Sequence, residues 1–156
     1  MKILKSFGIA CILTTLLTAT VGSLSVQAVD YTNYTTNDLI FLARIINTEA
    51  SDLCDDEHKQ LVGSVVMNRV KDSRFPNTIW NVAYQKGQYT CINDKKFWGQ
   101  YPSQRSIQAA KNVLDKNFYC PSTVVYQSEA IQGKGIYKIK IVNTRWRNSI
   151  TYFCYS

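Results

Sequence analysis

Residues 36–51 read TNDLIFLARIINTEAS, and this run decides how the chain folds. Leu39, Leu42 and Ile46 fall at i, i+3 and i+7, one stripe of an amphipathic helix. Thr35 followed by Asp38 has the spacing of a capping box, which starts that helix. Glu49 comes three residues after Ile46 and continues the stripe. A carboxylate on the buried side of a helix is costly, because desolvation disfavours its charged form. A chain that keeps one there gains a raised pKa, as a general acid near neutral pH requires. Periodicity alone leaves a second reading open. Glu49 can be a solvated carboxylate at a frayed helix end, and perturbed carboxylates also serve structural ion pairs.

Upstream of this helix the chain reads as an address. Lys2 and Lys5 form a positive start, residues 7–24 are largely apolar, and Val26-Gln27-Ala28 suits signal peptidase. Residues 1–28 are therefore expected to be a secretory signal cleaved after Ala28, with an uncleaved anchor as the alternative because the apolar run is long. Residues 29–35 are a polar lead-in, and residues 36–156 are expected to form one catalytic domain. Cleavage would remove 28 of 156 residues, and Lys2 and Lys5 from a formal charge of +7, leaving 128 residues at +5. That is enough chain for a single core. No later segment is apolar enough to span a bilayer, so no membrane contact is expected after cleavage. A positive exported domain favours acidic partners, for which the candidates are anionic wall polymers and membrane surfaces, the wall polymers being the ones expected. Its basic residues are dispersed without a nucleic-acid motif, so nucleic acid is not an expected partner.

Downstream, residues 55–72 read as a second helix, acidic at its start (Asp55, Asp56, Glu57) and basic at its end (Arg69, Lys71). A short helix over 78–84, an extended hairpin over 85–93 turning at Lys86-Gly87, and a helix over 103–116 follow. Residues 123–127, 136–142 and 149–155 are strand-like. In the second of these, Tyr137, Ile139 and Ile141 alternate with Lys138 and Lys140. Helices first and strands later indicate α+β.

Cysteine usage fits export. Cys11 leaves with the signal, and Cys54, Cys91, Cys120 and Cys154 remain. The even count suggests disulfides, preferably Cys54–Cys91 and Cys120–Cys154, with four free thiols as the alternative. Their wide spacing is poor for a metal, and no metal or cofactor is expected.

Exclusion narrows the chemistry. The single histidine, His58, is too few for a zinc hydrolase. Only Cys54 precedes it, four residues away, which fits no usual Cys–His arrangement. There is no G-x-S-x-G elbow and no phosphate-cradling glycine loop. Carboxylate chemistry survives, and its usual form is glycosidic cleavage. His58 itself reads as a surface helix residue.

Several stretches then converge on a family. Leu42-Ala43-Arg44 through Glu49-Ala50, Val65-Val66-Met67-Asn68-Arg69-Val70 and Arg74-Phe75-Pro76-Asn77-Thr78-Ile79 come first. Val82 through Tyr89, Tyr101-Pro102-Ser103 with Ser106 through Ala110, and the closing Thr151-Tyr152-Phe153 follow. In this order and spacing the chain resembles the cell wall hydrolase family of the spore-cortex lytic enzymes, the SleB and CwlJ type, over residues 39–155. The resemblance implies a lysozyme-like fold, helical at first with a small antiparallel sheet at the end. It implies cleavage of peptidoglycan glycan after N-acetylmuramic acid by a single glutamate, matched by Glu49. The outcome expected is a 1,6-anhydro product, or else hydrolysis, by a monomer acting in the cell wall. A non-catalytic wall-binding scaffold on the same fold is the competing reading, and a secreted effector without wall affinity a third.

The resemblance also places Gln88 and Tyr89 on a hairpin of G-Q-F type that lines the cleft, as substrate-binding residues; the plain alternatives are a turn residue for Gln88 and core packing for Tyr89. Trp98 and Tyr101, in a polar loop, are candidates for a sugar platform, whereas Trp80 and Trp146 are expected to pack. Arg69 has a plain alternative, capping carbonyls at its helix end. The chain departs from the family's E-A-R-G-E pattern beside the glutamate: Asp52 replaces a glycine, Leu53 the second glutamate and Cys54 a typical proline. Asp52, one turn from Glu49, cannot straddle a sugar with it and is expected to be structural.

Overall fold

The computed structural model describes residues 33–118, 120–143 and 148–156. The signal assigned to residues 1–28, the start of the lead-in and Trp146 lie outside the described residues. Helix α1 spans Thr36–Glu49. Its capping box is formed: Thr35 Oγ1 accepts from the Asp38 N–H, and Asp38 accepts from the Thr35 N–H, both at 3.1 Å. The helix ends at Ala50, whose N–H still reaches the Ile46 carbonyl while its own backbone turns extended. Leu42 and Ile46 of the stripe are buried, together with Phe41, Ala43 and Ile45. Burial of so many branched and aromatic side chains, not helix propensity, holds α1 in place.

Helix α2, Asp56–Lys71, is capped by Asp55, whose side chain accepts from the His58 N–H at 2.7 Å. Twelve of its residues are buried, so it is the central helix of the domain. Gly63 sits where α1, α2 and α5 (Gln104–Leu114) meet. A Cβ there would lie 2.9 Å from Ile46 Cδ1 and 3.3 Å from Val113 Cγ2, so the missing side chain sets how closely the three helices approach. Helix α3 covers Ile79–Ala83. The expected hairpin over 85–93 is corrected: the chain turns at Gly87 (φ +79°) but then forms a 3-10 turn at Thr90–Asn93. Helix α4, Lys95–Gly99, follows it. Around these short pieces an aromatic stack forms, with Trp80 flat on Phe41 at 3.7 Å and Trp98 continuing it at 5.9 Å.

Strands β1 (Val124–Ser128), β2 (Ile136–Asn143) and β3 (Asn148–Tyr155) form one antiparallel sheet in the order β1-β3-β2. The α+β class read from the sequence is the one observed. The alternation of β2 is inverted from a simple apolar-inside reading. Ile139, Ile141 and its cross-strand partner Ile150 are exposed, whereas Lys140 turns toward α2. The lysine has reasons to do so, since its ammonium meets Asp55 at 2.8 Å and Glu57 at 2.5 Å, while Lys138 meets Glu57 at 2.9 Å. The acidic first turn of α2 therefore serves the sheet as well as the helix dipole.

The four cysteines are free thiols, which corrects the disulfide expectation. Each sulfur is engaged in different surroundings. Cys54 sits near Ser51 and Lys59, Cys91 beside Glu49, Cys120 near Asn68 at 3.9 Å, and Cys154 is buried in β3 opposite Tyr126 and Ile136. Burial pushes the thiols of Cys91 and Cys120 up to about 12 and about 11, so both stay protonated.

Candidate active site

Glu49 is the last residue of α1, and its side chain is the one element shared by two cavities. The first, of about 240 Å³, is lined by Arg69, Gln88, Tyr89, Gln127, Ser128 and Gln132 with Gly87. The second, of about 330 Å³, is walled by Ser51, Leu53, Cys54, His58 and the strand residues Val142, Ser149 and Thr151. As a residue Glu49 is exposed, because it borders both openings. Its carboxyl is nonetheless packed round by protein, and burial pushes its pKa above the ordinary carboxylate value. The two facts are compatible: a group at a cleft mouth can be reached by solvent yet be surrounded largely by low-dielectric matter. The second fact governs proton affinity.

Three neighbours oppose that rise without cancelling it. The Cys91 thiol and the Gln127 amide lie where they favour the charged carboxyl, and the Arg69 guanidinium adds positive charge. They come from the 3-10 turn, β1 and α2, three separate parts of the chain. Arg69 is buried and does not cap its own helix, the plain alternative for it. Its Nε donates to the Val125 carbonyl at 2.7 Å and an Nη donates to Gln88 Oε1 at 2.6 Å. Its neighbour Asn68 donates to the Val124 and Pro121 carbonyls at 2.9 and 2.8 Å. The Asn68-Arg69 pair thus fixes β1 against α2 and brings Gln127 to Glu49.

The proposed substrate residues separate. Gln88 and Tyr89 stand at the first Glu49 cavity. Gln88 is exposed, and with Oε1 held by Arg69 it has its NH2 group left to offer a ligand. Tyr89 is only 8% exposed and carries the Arg69 guanidinium 5.6 Å over its ring, so the ring face is not open for a sugar. Trp98 and Tyr101 line neither Glu49 cavity. Trp98 is held by the Phe41–Trp80 stack, and its Nε1 donates to the Ile92 carbonyl at 2.9 Å. Both remain exposed beside a third hollow, of about 210 Å³, lined by Phe97, Gln100 and Pro102 together with Cys91 and Thr48.

The departures beside Glu49 have a structural account. Lys59 is fully buried beneath the end of α1, donating to the Ala50 carbonyl at 2.7 Å and to Ser106 Oγ at 3.0 Å. Its ammonium also meets Asp52 Oδ1 at 3.1 Å. Asp52 accepts from Ser103 Oγ at 2.8 Å and lines neither Glu49 cavity. The bonds from Ser103 and Lys59 hold its carboxyl below the usual range. Leu53 is 71% exposed and forms a wall of the second cavity.

His58 corrects the surface expectation. It is 3% exposed, packs edge-on against Phe153 at 5.6 Å, and burial lowers its pKa. Sequence reasoning also missed Cys91 and Gln127. Neither has a local signal, since their proximity to Glu49 is created by the packing of the 3-10 turn and β1. Among the described residues no group of three or more His, Cys, Asp and Glu side chains is placed to hold a metal.

Comparison with known proteins bears on the family and the fold. A family model described as Cell Wall Hydrolase matches residues 55–152, more than half of the chain. The catalytic domain of the Bacillus cereus SleB protein is similar in structure, with a TM-score of 0.59 at 21% identity, over 79% of this chain and 93% of that one. The catalytic domain of the germination-specific lytic transglycosylase SleB from Bacillus anthracis is similar with a TM-score of 0.58 at 21% identity, over 79% and 98%. This likeness shows the fold, which is the lysozyme-like α+β arrangement expected. No curated protein matches the chain.

Proposed function

The chain belongs to the cell wall hydrolase family, and we propose that it cleaves the glycan strand of peptidoglycan with Glu49 as its single acid and base. The observation that carries this reading is the placement of Glu49. It borders two cavities whose described lining holds no other carboxylate, and its surroundings favour the protonated form. Hydrolases that retain or invert by the usual routes need a second carboxylate as nucleophile or base. Asp52, the nearest in sequence, is committed to Lys59 and Ser103.

A one-carboxylate route suits the muramic acid 6-hydroxyl as acceptor. Protonated Glu49 gives its proton to the glycosidic oxygen as the C1–O bond breaks. The muramic 6-hydroxyl then attacks C1, and its proton returns to the Glu49 carboxylate. Bonds and protons balance without water, and the new end is a 1,6-anhydro sugar. Gln88 offers its amide N–H groups to the sugar at the first cavity. Trp98 and Tyr101 present aromatic faces to glycan farther along the surface, in the manner of sugar platforms. The positive charge of the chain favours the anionic wall, and the acting site is extracytoplasmic, reached through the signal assigned to residues 1–28.

The test is digestion of purified peptidoglycan followed by mass spectrometry. Anhydro ends support the transglycosylase route, and ordinary reducing muramic ends replace it with hydrolysis. Binding without solubilisation favours the scaffold reading. Glu49→Gln is expected to abolish release while the protein stays folded; substantial remaining activity ends the assignment.

A further inference from the structure

Tyr89 carries a hydroxyl that the fold does not use. Its oxygen is buried and has no hydrogen-bond partner among the described residues. The residue is more than nine-tenths buried and lines the cavity of Glu49. Its backbone is held at φ 21°, ψ 57°, a left-handed conformation uncommon for an aromatic side chain. A buried hydroxyl without a partner and a strained backbone both oppose folding, and strain of this kind gathers at functional sites. Phenylalanine would fill the same space without the unpaired oxygen.

Tyr89 and Glu49 line the same cavity, and the charges that act on the hydroxyl name its candidate partners. The charged and titratable groups that act on it are Arg69 from α2, Glu49 from α1 and Cys91 from the 3-10 turn. Arg69 has only donors, and the Cys91 thiol is a weak acceptor. The strong acceptor of the set is the Glu49 carboxylate. Burial pushes the phenol up to about 12, so across the working range it keeps the proton it would donate.

We infer that Tyr89 is a positioning residue for Glu49: its hydroxyl, unbonded at rest, donates a hydrogen bond to the carboxylate that forms as Glu49 yields its proton. A neutral carboxyl is the weaker acceptor, and the bond is strongest when the charge has developed. An interaction of that kind lowers the barrier instead of merely tightening binding. Cys91 and Gln127 already favour the charged form of the carboxyl, and Tyr89 adds a donor from the same cavity. The inference rests on the reading of Glu49 as the acid.

The decisive variant is Tyr89→Phe in the full chain. Its rates on purified peptidoglycan and its melting temperature are compared with wild type. The carboxyl carbons of Glu49, Glu57 and Glu129, the three glutamates of the chain, are followed by NMR across pH with 13C-labelled glutamate. The expected result is a kcat lower by about tenfold or more with KM unchanged. The Glu49 signal should titrate at higher pH, since losing a donor to the charged form weakens that form. Melting temperature should be equal or higher, because an unpaired buried oxygen is gone. An unchanged kcat with an unchanged Glu49 titration overturns the inference. So does a raised KM at constant kcat, which would put the phenol on the substrate. Wild-type protein that releases no glycan strikes at the role of Glu49 itself, and the NMR titration still judges the hydrogen bond independently.

Discussion

Lys59, a side chain with no exposed surface, donates from its Nζ to the backbone carbonyl of Ala50 at 2.7 Å. Ala50 is the residue after Glu49, at the point where α1 stops and its last carbonyls lack helical partners. The cation also stands at the negative end of the helix dipole. One buried lysine from α2 therefore fixes the backbone on which the acid is mounted.

Lys59→Met should keep the packing volume but leave the Ala50 carbonyl unpaired and Asp52 without its cation. A loss of about 2–3 kcal/mol is expected, read from urea denaturation midpoints. Glycan release should fall further than stability explains, because Glu49 is adjacent. An unchanged midpoint would show that the carbonyl is satisfied by another route.

Glu49→Gln should alter stability in a pH-dependent way. The Glu49 pKa is raised in the fold above its ordinary value of 4.5, so the folded state binds its proton more tightly than the unfolded state. That contribution is present at low pH and disappears as pH climbs through the folded value. The glutamine variant should therefore gain melting temperature relative to wild type between pH 4 and pH 7. A constant difference across that range would mean that Glu49 is not perturbed. For activity, the same sign predicts a decline on the basic side as the acid loses its proton.

Gly133→Ala should be severely destabilising. The glycine has φ +62°, and a Cβ there would fall 1.9 Å from the Tyr155 carbonyl oxygen, a backbone atom that cannot step aside alone. A loss of about 2 kcal/mol or more is expected. Its neighbour Gln132 lines the first cavity of Glu49, so residual folded protein should also cleave glycan poorly.

Reducing agent should leave the melting temperature unchanged, since Cys54, Cys91, Cys120 and Cys154 are thiols. Under denaturing conditions each should react with a thiol reagent without prior reduction. A marked drop in melting temperature on reduction would reinstate a bridge.

What could be read in advance divides along a physical line. The Thr35 cap, the stripe of α1 and the bounds of α2 are local, written in residues three or four apart, and the structure keeps them. The position of Glu49 on that stripe was equally legible. The inward turn of Lys140 was not, because it depends on Asp55 and Glu57 more than eighty residues away. His58 reads as surface from its polarity alone, and its burial depends on Phe153, a packing partner distant in sequence. Cys91, Gln127 and the fork of Arg69 reach Glu49 only after three elements have packed. Family resemblance points to Gln88 and Tyr89, and of the two readings open for Tyr89 the covered ring agrees with core packing.

The two ends of α2 are fastened to the sheet by different means, and this sets an order of release. Near its C-terminus, Asn68 and Arg69 bond neutral carbonyls of β1 and its approach, out of reach of acid or salt. At its N-terminus, Lys138 and Lys140 hold Asp55 and Glu57 through charge. Burial acts to raise Asp55, but the Lys140 and His58 hydrogen bonds outweigh it, and those from Lys140 and Lys138 lower Glu57. Both carboxyls therefore contribute stability above the ordinary range that fades as pH falls through their depressed values. Salt weakens the exposed part of the same latch. Acidification thus loosens the tie between β2 and the start of α2, while β2 stays paired with β3 and the β1 tie to α2 is untouched.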